Sequence, residues 1–341
     1  MNDSFLSTDI VFLPFDVVTS EEGYFICRGV NRLLFQGKTI PRILKVLKEI
    51  PLHKSFPLYQ VLQKYPKSIR WDALQLLFEL YRRKYIVSTI DSKIEAKETP
   101  IDLFYWHFGI STKQVNSNFA DFGVFIVGVN KLGLKVYHSL LEAGFTFVHF
   151  IDDPDFRRTN VNHQMQNIKV WSMKDWKEKI IRKKNCLIVC SESGSLPVFS
   201  GWNQYCVEQN LPLFPVYIDQ LMGYVGPWVR PGETACLQCM IQRKNSFQAN
   251  DKIELIIDAN DFLLKSNCAY SYPLLNLCAD HTAFEVGAHV AELSIRKYNS
   301  QLCINPYSGT TTNHKILKLP RCIVCSDLES KGSYSTLRIT K

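Results

Sequence analysis

Two Cys-x-x-Cys pairs carry the most specific chemistry in the chain: Cys236/Cys239 in Gly232-Glu-Thr-Ala-Cys-Leu-Gln-Cys and Cys322/Cys325 in Leu319-Pro-Arg-Cys-Ile-Val-Cys. A two-residue spacer lets both sulfurs of a pair reach one ion from a tight turn, and two such turns complete a tetrahedral shell of four thiolates, the kind zinc prefers. Four sulfurs leave no coordination position open, so the expected Zn²⁺ is structural and ties the segment near 236 to the C-terminal segment. A redox dithiol would need a Cys-x-x-Cys opening a helix in a thioredoxin-like unit, and neither pair has that context. His281, His289 and His314 are isolated and read as packing or surface histidines. Asp152, Asp153 and Asp155 lie together after a predicted strand and resemble a catalytic carboxylate group. Trp202, Tyr205 and Cys206 fall at helical spacing and read as core.

These residues need elements to hold them, and the chain is long enough for two domains: 341 residues, 46% hydrophobic and 21% charged. The first residues lack a basic stretch followed by an apolar one, and no run approaches membrane-spanning length, so a cytoplasmic protein without a membrane partner is expected. Eleven cysteines fit a reducing compartment. The net charge of +8 is spread along the chain, which argues against nucleic acid as a partner and leaves a mild preference for acidic ligands such as a peptide.

From Val11 to Thr89 the pattern is that of a small winged-helix-like unit. Runs at Val11–Val18, Tyr24–Cys27 and Arg32–Gln36 predict a three-stranded meander. A helix capped by Thr39 should run to Glu49, a shorter one from Phe56 to Tyr65, and a third from a Ser68 cap with Trp71, Leu74, Leu77, Phe78 and Tyr81 on its apolar stripe. Tyr85–Thr89 closes the unit as a strand. The domain boundaries expected are 9–90, a linker over 91–118, and 119–330. In the last part strands and helices alternate: strands at 124–129, 145–151, 186–190 and 213–218, a helix at 132–143, and a long packing helix from Phe284 to Tyr298. This predicts an α/β, doubly wound domain of Rossmann type.

The segments Gly128-Val-Asn-Lys-Leu-Gly133, Asp152-Asp-Pro-Asp-Phe-Arg-Arg-Thr-Asn-Val-Asn-His-Gln, Pro231-Gly-Glu-Thr-Ala-Cys-Leu-Gln-Cys and Leu319-Pro-Arg-Cys-Ile-Val-Cys, taken in order, resemble the ubiquitin-activating (E1-like, ThiF-like) superfamily over most of residues 120–326. The resemblance implies an ATP site at Gly128, Gly133, Asp153, Asn160, Gln164 and Glu192, with Asp153 at the position that binds ribose hydroxyls. The chain departs from that pattern at three places. Val129, Asn130 and Lys131 replace phosphate-loop glycines, His163 stands for an arginine, and Glu192 falls near the position of a magnesium-binding Asp. Adenylation is therefore expected to be lost, making ATP an unlikely cofactor and zinc the cofactor that remains; Arg157 and Arg158 are the cations that could replace the missing arginine.

The N-terminal unit, by strand order, Gly37 after the third strand and helix content, is similar to a RiPP recognition element, the clamp that takes a precursor's leader peptide as an added strand. That resemblance implies an edge at Arg32, Leu33, Leu34, Phe35 and Gln36, and a groove wall drawn from Trp71, Leu74, Gln75, Phe78 and Arg82. Together the two resemblances imply a leader-peptide-binding partner protein that serves a separate YcaO-type cyclodehydratase in azoline formation, the chemistry of thiazole/oxazole-modified microcins and thiopeptides. They also leave open pairing as a homodimer. The competing expectation is an enzyme that adenylates a peptide itself. A winged-helix DNA binder is disfavoured, because the patterned face of the third helix is apolar.

Overall fold

A computed structural model describes residues 8–29, 31–52, 54–88, 99–157, 161, 164–165, 168–176, 184–192, 196–219, 221–247, 269–295 and 297–326. The chain divides into two compact units, Met1–Ser117 and Asn118–Lys341.

In the first unit the expected opening strand is two. Strand β1 (Asp9–Phe12) pairs antiparallel with β5 (Ser55–Pro57) and β6 (Ile86–Ser88), while β2 (Asp16–Ser20), β3 (Gly23–Arg28) and β4 (Asn31–Phe35) form a separate meander. Pro14 stands between β1 and β2; a residue with no N–H to give a ladder is a natural break between sheets. Helices α1 (Ile40–Lys48), α2 (Leu58–Gln63) and α3 (Arg70–Arg82) follow. Thr39 precedes α1 without a side-chain cap, since it is itself helical (φ −85°) and Pro41 in the first turn has no N–H to offer. Ser68 does not cap α3 either; it lies in a 3₁₀ turn, Lys67–Ile69, that leads into the helix. One core joins these elements: Ile10, Phe12, Ile26, Ile43, Leu44, Leu58, Val61, Leu74, Leu77 and Leu80 are all buried.

The linker expected over 91–118 is shorter than that. Among its described residues, α4 (Pro100–His107) and α5 (Thr112–Asp121) are helices. Thr99 and Asp102 form a reciprocal capping box, Pro100 opens the first turn, and Thr112 donates a hydroxyl hydrogen bond to Asp102. Trp106 of α4 is buried with Val11, Leu13 and Val87.

The second unit is built on an eight-stranded sheet in the order β14-β13-β12-β11-β10-β7-β8-β9. Strands β7 (Phe122–Val127), β8 (Val148–Asp152), β9 (Val170–Ser172), β10 (Lys184–Ser191) and β11 (Leu213–Asp219) are parallel; β12 (Met222–Val225), β13 (Ser300–Asn305) and β14 (Thr310–Lys315) continue the sheet antiparallel. Both β7 and the inner part of β10 are buried on every residue, as strands covered on two faces must be. Helix α6 (Lys131–Glu142) follows β7, α7 (Ser200–Glu208) follows β10, and α8 (Leu237–Phe247) carries the first cysteine pair. The long helix α9 spans Tyr272–Val290 rather than 284–298. It ends because Glu292 is left-handed (φ 56°) and the Leu293 N–H returns to the Ala288 carbonyl, 2.9 Å, a closing turn that sends the chain away. No helix among the described residues is long and apolar enough to cross a membrane.

Candidate functional site

The four cysteine sulfurs meet. Cys236, Cys239, Cys322 and Cys325 are all buried and their Sγ atoms lie within 4.8 Å of one another. Cys236 is 3.5 Å from Cys322 and 3.8 Å from Cys239, and Cys239 is 3.5 Å from Cys325. Four sulfurs at about 2.3 Å from a tetrahedral zinc stand about 3.8 Å apart, so the quartet fits that ion. Side-chain amides fix the first turn: Asn203 accepts from the Leu237 N–H (2.9 Å) and Asn299 from the Ala235 N–H (2.8 Å). The Leu319 N–H reaches Cys239 Sγ at 3.4 Å, and Arg243 of α8 donates to the Leu317 carbonyl at 2.9 Å, holding the second turn against the first. The contacts with Cys236 and then Cys325 hold the Cys239 thiol down, the contact with Cys239 pushes Cys236 up, and those with Cys236 and Cys239 raise Cys325. Such thiols do not all ionise unaided; a divalent cation is what makes four thiolates compatible in one buried place.

The nucleotide position suggested by the resemblance lies where the strand order reverses, outside the C-terminal ends of β7 and β10. There Gly128 has φ 122°, and a Cβ on it would stand 2.4 Å from the Cys190 carbonyl; a Cβ on Gly133 would stand 2.3 Å from the Gly128 carbonyl. Both glycines are thus demanded by close backbone packing. Asn130 is 1% exposed and fully used. Its Oδ1 accepts from the Gly133 N–H (2.8 Å), and its Nδ2 donates to the carbonyls of Phe156 (3.0 Å) and Cys190 (2.8 Å).

Glu192, also buried, turns its carboxylate onto the N-terminus of α6, where Oε1 accepts from the Leu132 N–H at 3.0 Å. A helix N-terminus offers free N–H groups and a positive dipole end, the setting in which phosphates bind. Here two of those N–H groups are taken by the chain's own side chains. Tyr270 donates to Glu192 Oε2 (3.4 Å), and Lys131 donates to the Tyr272 hydroxyl (2.6 Å) with its ammonium 4.9 Å from that ring's centre. Neither tyrosine was singled out in the sequence; the Glu-to-tyrosine contact joins residues 78 positions apart and leaves no local pattern.

Asp152, Asp153 and Arg157 there are engaged as well. Asp153 accepts from the Asp155 N–H (3.0 Å) through Oδ1 and from the Trp202 indole N–H (2.7 Å) through Oδ2. Trp202 therefore does more than fill the core. Arg157 pairs with Asp152 at 3.4 Å, and Gln164 is exposed. Asn160, Arg158 and His163 lie outside the described residues. Of the isolated histidines, His289 meets the Tyr298 hydroxyl (3.2 Å) and His314 that of Thr312 (3.0 Å), while burial lowers the pKa of His281.

In the first unit, β4 is hydrogen-bonded on one side only among the described residues, to β3. Gly37, with φ 139°, turns the chain out of β4 towards α1. Arg32, Leu34 and Gln36 are exposed, whereas Leu33 and Phe35 pack on the core. The Gln36 amide is tied to the Glu22 carbonyl at 2.7 Å, so it braces the β2–β3 turn. On α3, Trp71 (62% exposed), Gln75, Phe78 (40%) and Arg82 recur at helical spacing on the solvent face. Leu74 does not join them, being 9% exposed and packed inward with Leu77. Arg82 and Arg83 both bind Glu79, at 2.9 and 3.0 Å, which holds that carboxyl below its usual range.

No family model and no curated protein matches this chain. Among solved structures it is similar to E. coli MccB, with a TM-score of 0.69 at 17% identity over 94% of this chain and 97% of that one. MccB solved with AMPCPP and MccA gives a TM-score of 0.67 at 17% identity, over 93% of this chain and 99% of that one. The heterocyclase TruD gives 0.60 at 16% identity over 95% of this chain, which spans only 43% of that longer protein. At these identities the likeness is one of architecture: along nearly its whole length the chain carries the E1-like fold of MccB, with a cluster of four cysteines that could hold a metal ion.

Proposed function

We propose that this chain binds the leader region of a ribosomally made precursor peptide and presents it to a separate YcaO-type cyclodehydratase for azoline formation, without using ATP itself. The observation that carries the reading is the Glu192 carboxylate on the Leu132 N–H. Phosphates placed there would have to displace the buried Glu192 carboxyl group and the Asn130 side chain bound to the same turn. Peptide capture is supported by two features: the edge of β4, unpaired among the described residues, which could accept an added strand, and the exposed Trp71–Phe78 stripe, which offers apolar side chains. Cys236, Cys239, Cys322 and Cys325 would hold a structural zinc, which with four thiolate ligands would have no open position for reaction.

The chain's contribution would be effective concentration. A tethered leader makes each encounter of a core Cys, Ser or Thr with the cyclodehydratase a local event. The second reading, adenylation of a peptide by this chain, draws on MccB having been solved with ATP. It requires Glu192 to leave α6 and a cation other than Arg157, which is paired with Asp152.

The test is reconstitution with the cyclodehydratase and precursor encoded beside this chain, following loss of water per ring by mass spectrometry. The proposal expects ring formation to depend on this chain, to fall for Trp71→Ala/Phe78→Ala, and to persist in Glu192→Gln. Peptide-dependent release of pyrophosphate from ATP by the chain alone would establish the second reading.

A further inference from the structure

The outer face of the β2–β3–β4 meander is organised in rows. Register places Val18 opposite Phe25 and Phe25 opposite Leu34, so one row is apolar. The next row runs Asp16, Cys27, Arg32. Val18 and Leu34 are 50% and 42% exposed, and Asp16 and Arg32 are exposed too. The two edges of this small sheet therefore end the same row with opposite charges: Asp16 on the β2 side and Arg32 on the β4 side.

Charge is uneven on a larger scale as well. Between Tyr24 and Lys84 the sequence has thirteen Lys and Arg against three Asp and Glu, an excess of +10, larger than the +8 of the whole chain. The excess is local to that stretch, with Arg32 on β4 and Arg42, Lys45 and Lys48 on α1, whereas the acidic residues before Tyr24 offset half of it.

Resting on the leader-binding reading above, we propose that the strand taken by β4 is an acidic one with a defined three-residue element: two consecutive apolar residues followed, on the Arg32 side, by Asp or Glu. An added strand continues the rows of the sheet it joins, since side chains directly across adjacent strands interact and alternate between faces. Beside Leu34 the added residue extends the apolar row. Its neighbour faces the side on which Leu33 and Phe35 meet the core, and is apolar for that reason. The third residue stands beside Arg32, where a carboxylate is favoured and a cation repelled. The surrounding excess of positive charge favours an acidic strand over a basic one at longer range, and Asp16 turns such a strand away from the β2 edge.

The test uses the full chain and a fluorescein-labelled synthetic leader of the precursor encoded beside it, with a second leader in which every Asp and Glu is Asn or Gln. Anisotropy titration is expected to give about tenfold weaker binding for the neutralised leader and for Arg32→Glu, with little further loss when the two changes are combined. The affinity of the native leader should also fall as NaCl is raised. Arg32 is exposed, so an unchanged melting temperature for Arg32→Glu separates this effect from misfolding. Equal binding of both leaders, or Arg32→Glu binding like the parent, overturns the acidic element while leaving leader capture intact. Binding of neither leader overturns the capture itself.

Discussion

At Glu192 a single carboxyl group meets the N-terminus of α6. Its bond to the Leu132 N–H predicts a graded series: Glu192→Gln keeps an oxygen acceptor and loses little stability, whereas Glu192→Leu orphans the N–H and costs about 1–3 kcal/mol, measurable by urea unfolding. Equal costs for the two variants would show that the bond matters less than the volume. The cysteines make a harsher prediction. One zinc per chain is expected by elemental mass spectrometry, Cys239→Ser should lose it, and a strong chelator should collapse the melting transition of the second unit, because both cysteine turns sit inside its core. Acid should release the metal too, since protons compete for the same sulfurs.

The four-cysteine site was legible in the sequence because two spacers of two residues report their purpose without knowledge of anything distant. Glu192 was legible only as a position. Its role depends on which N–H it meets, and the 60 positions that separate the partners carry no pattern that says so. Asp153 stands between these cases: a remnant role was readable, while its Trp202 partner belongs to a cluster that spacing alone assigns to packing.

Among the elements, α3 divides its stripe between inside and outside, and mutations should report the division. Leu77→Ala, at a fully buried position, is expected to cost about 2–5 kcal/mol. Trp71→Ala should cost under about 0.5 kcal/mol of stability while weakening leader binding. A stability loss at Trp71 comparable to that at Leu77 would place it in the core instead. Periodicity located α3 but could not separate its faces, because Trp71, Leu74 and Phe78 are all apolar. The same limit misplaced α9, whose buried face is largely Ala, Cys, Thr and Gly and gives a weak apolar signal. By contrast α4 announced itself with Thr99-Pro-Ile-Asp102, a capping box followed by aromatic residues, which the acidic and basic run before it obscured.

His107, at the end of α4, contacts Asn31 at the start of β4 (3.4 Å), and its backbone carbonyl accepts from Arg28. Burial, and then the Arg28 charge, lower its pKa below the ordinary 6.5. The folded state therefore binds this proton less readily than the unfolded chain. Stability from this group is complete above about pH 6.5 and declines as pH falls through the lowered value. Urea unfolding at pH 7.5 and pH 5 should show a loss that shrinks in His107→Asn. An unchanged pH profile in that variant would remove His107 as the cause.

At the scale of the whole molecule, an E1-like fold is combined with an α6 N-terminus two of whose N–H groups are bound by Asn130 and Glu192. The sheet order, the glycine contacts at Gly128 and Gly133, and the cysteine quartet all serve architecture. On the reading proposed above, recognition falls to the first unit, with its β4 edge unpaired among the described residues, its exposed aromatic residues and the positive stretch from Tyr24 to Lys84. The departures from the E1-like pattern at Val129, Asn130 and Lys131 were visible in the sequence; that Asn130 and Glu192 both bind N–H groups at the α6 N-terminus was not, because those are three-dimensional contacts.

Calorimetric titration of the full chain with MgATP and, separately, with the synthetic leader decides between a peptide clamp and an adenylating enzyme. Micromolar or tighter leader binding is expected, with no heat from MgATP at millimolar concentration. Saturable MgATP binding by the parent chain would refute the scaffold role, because Glu192 and Asn130 would then not be closing the site.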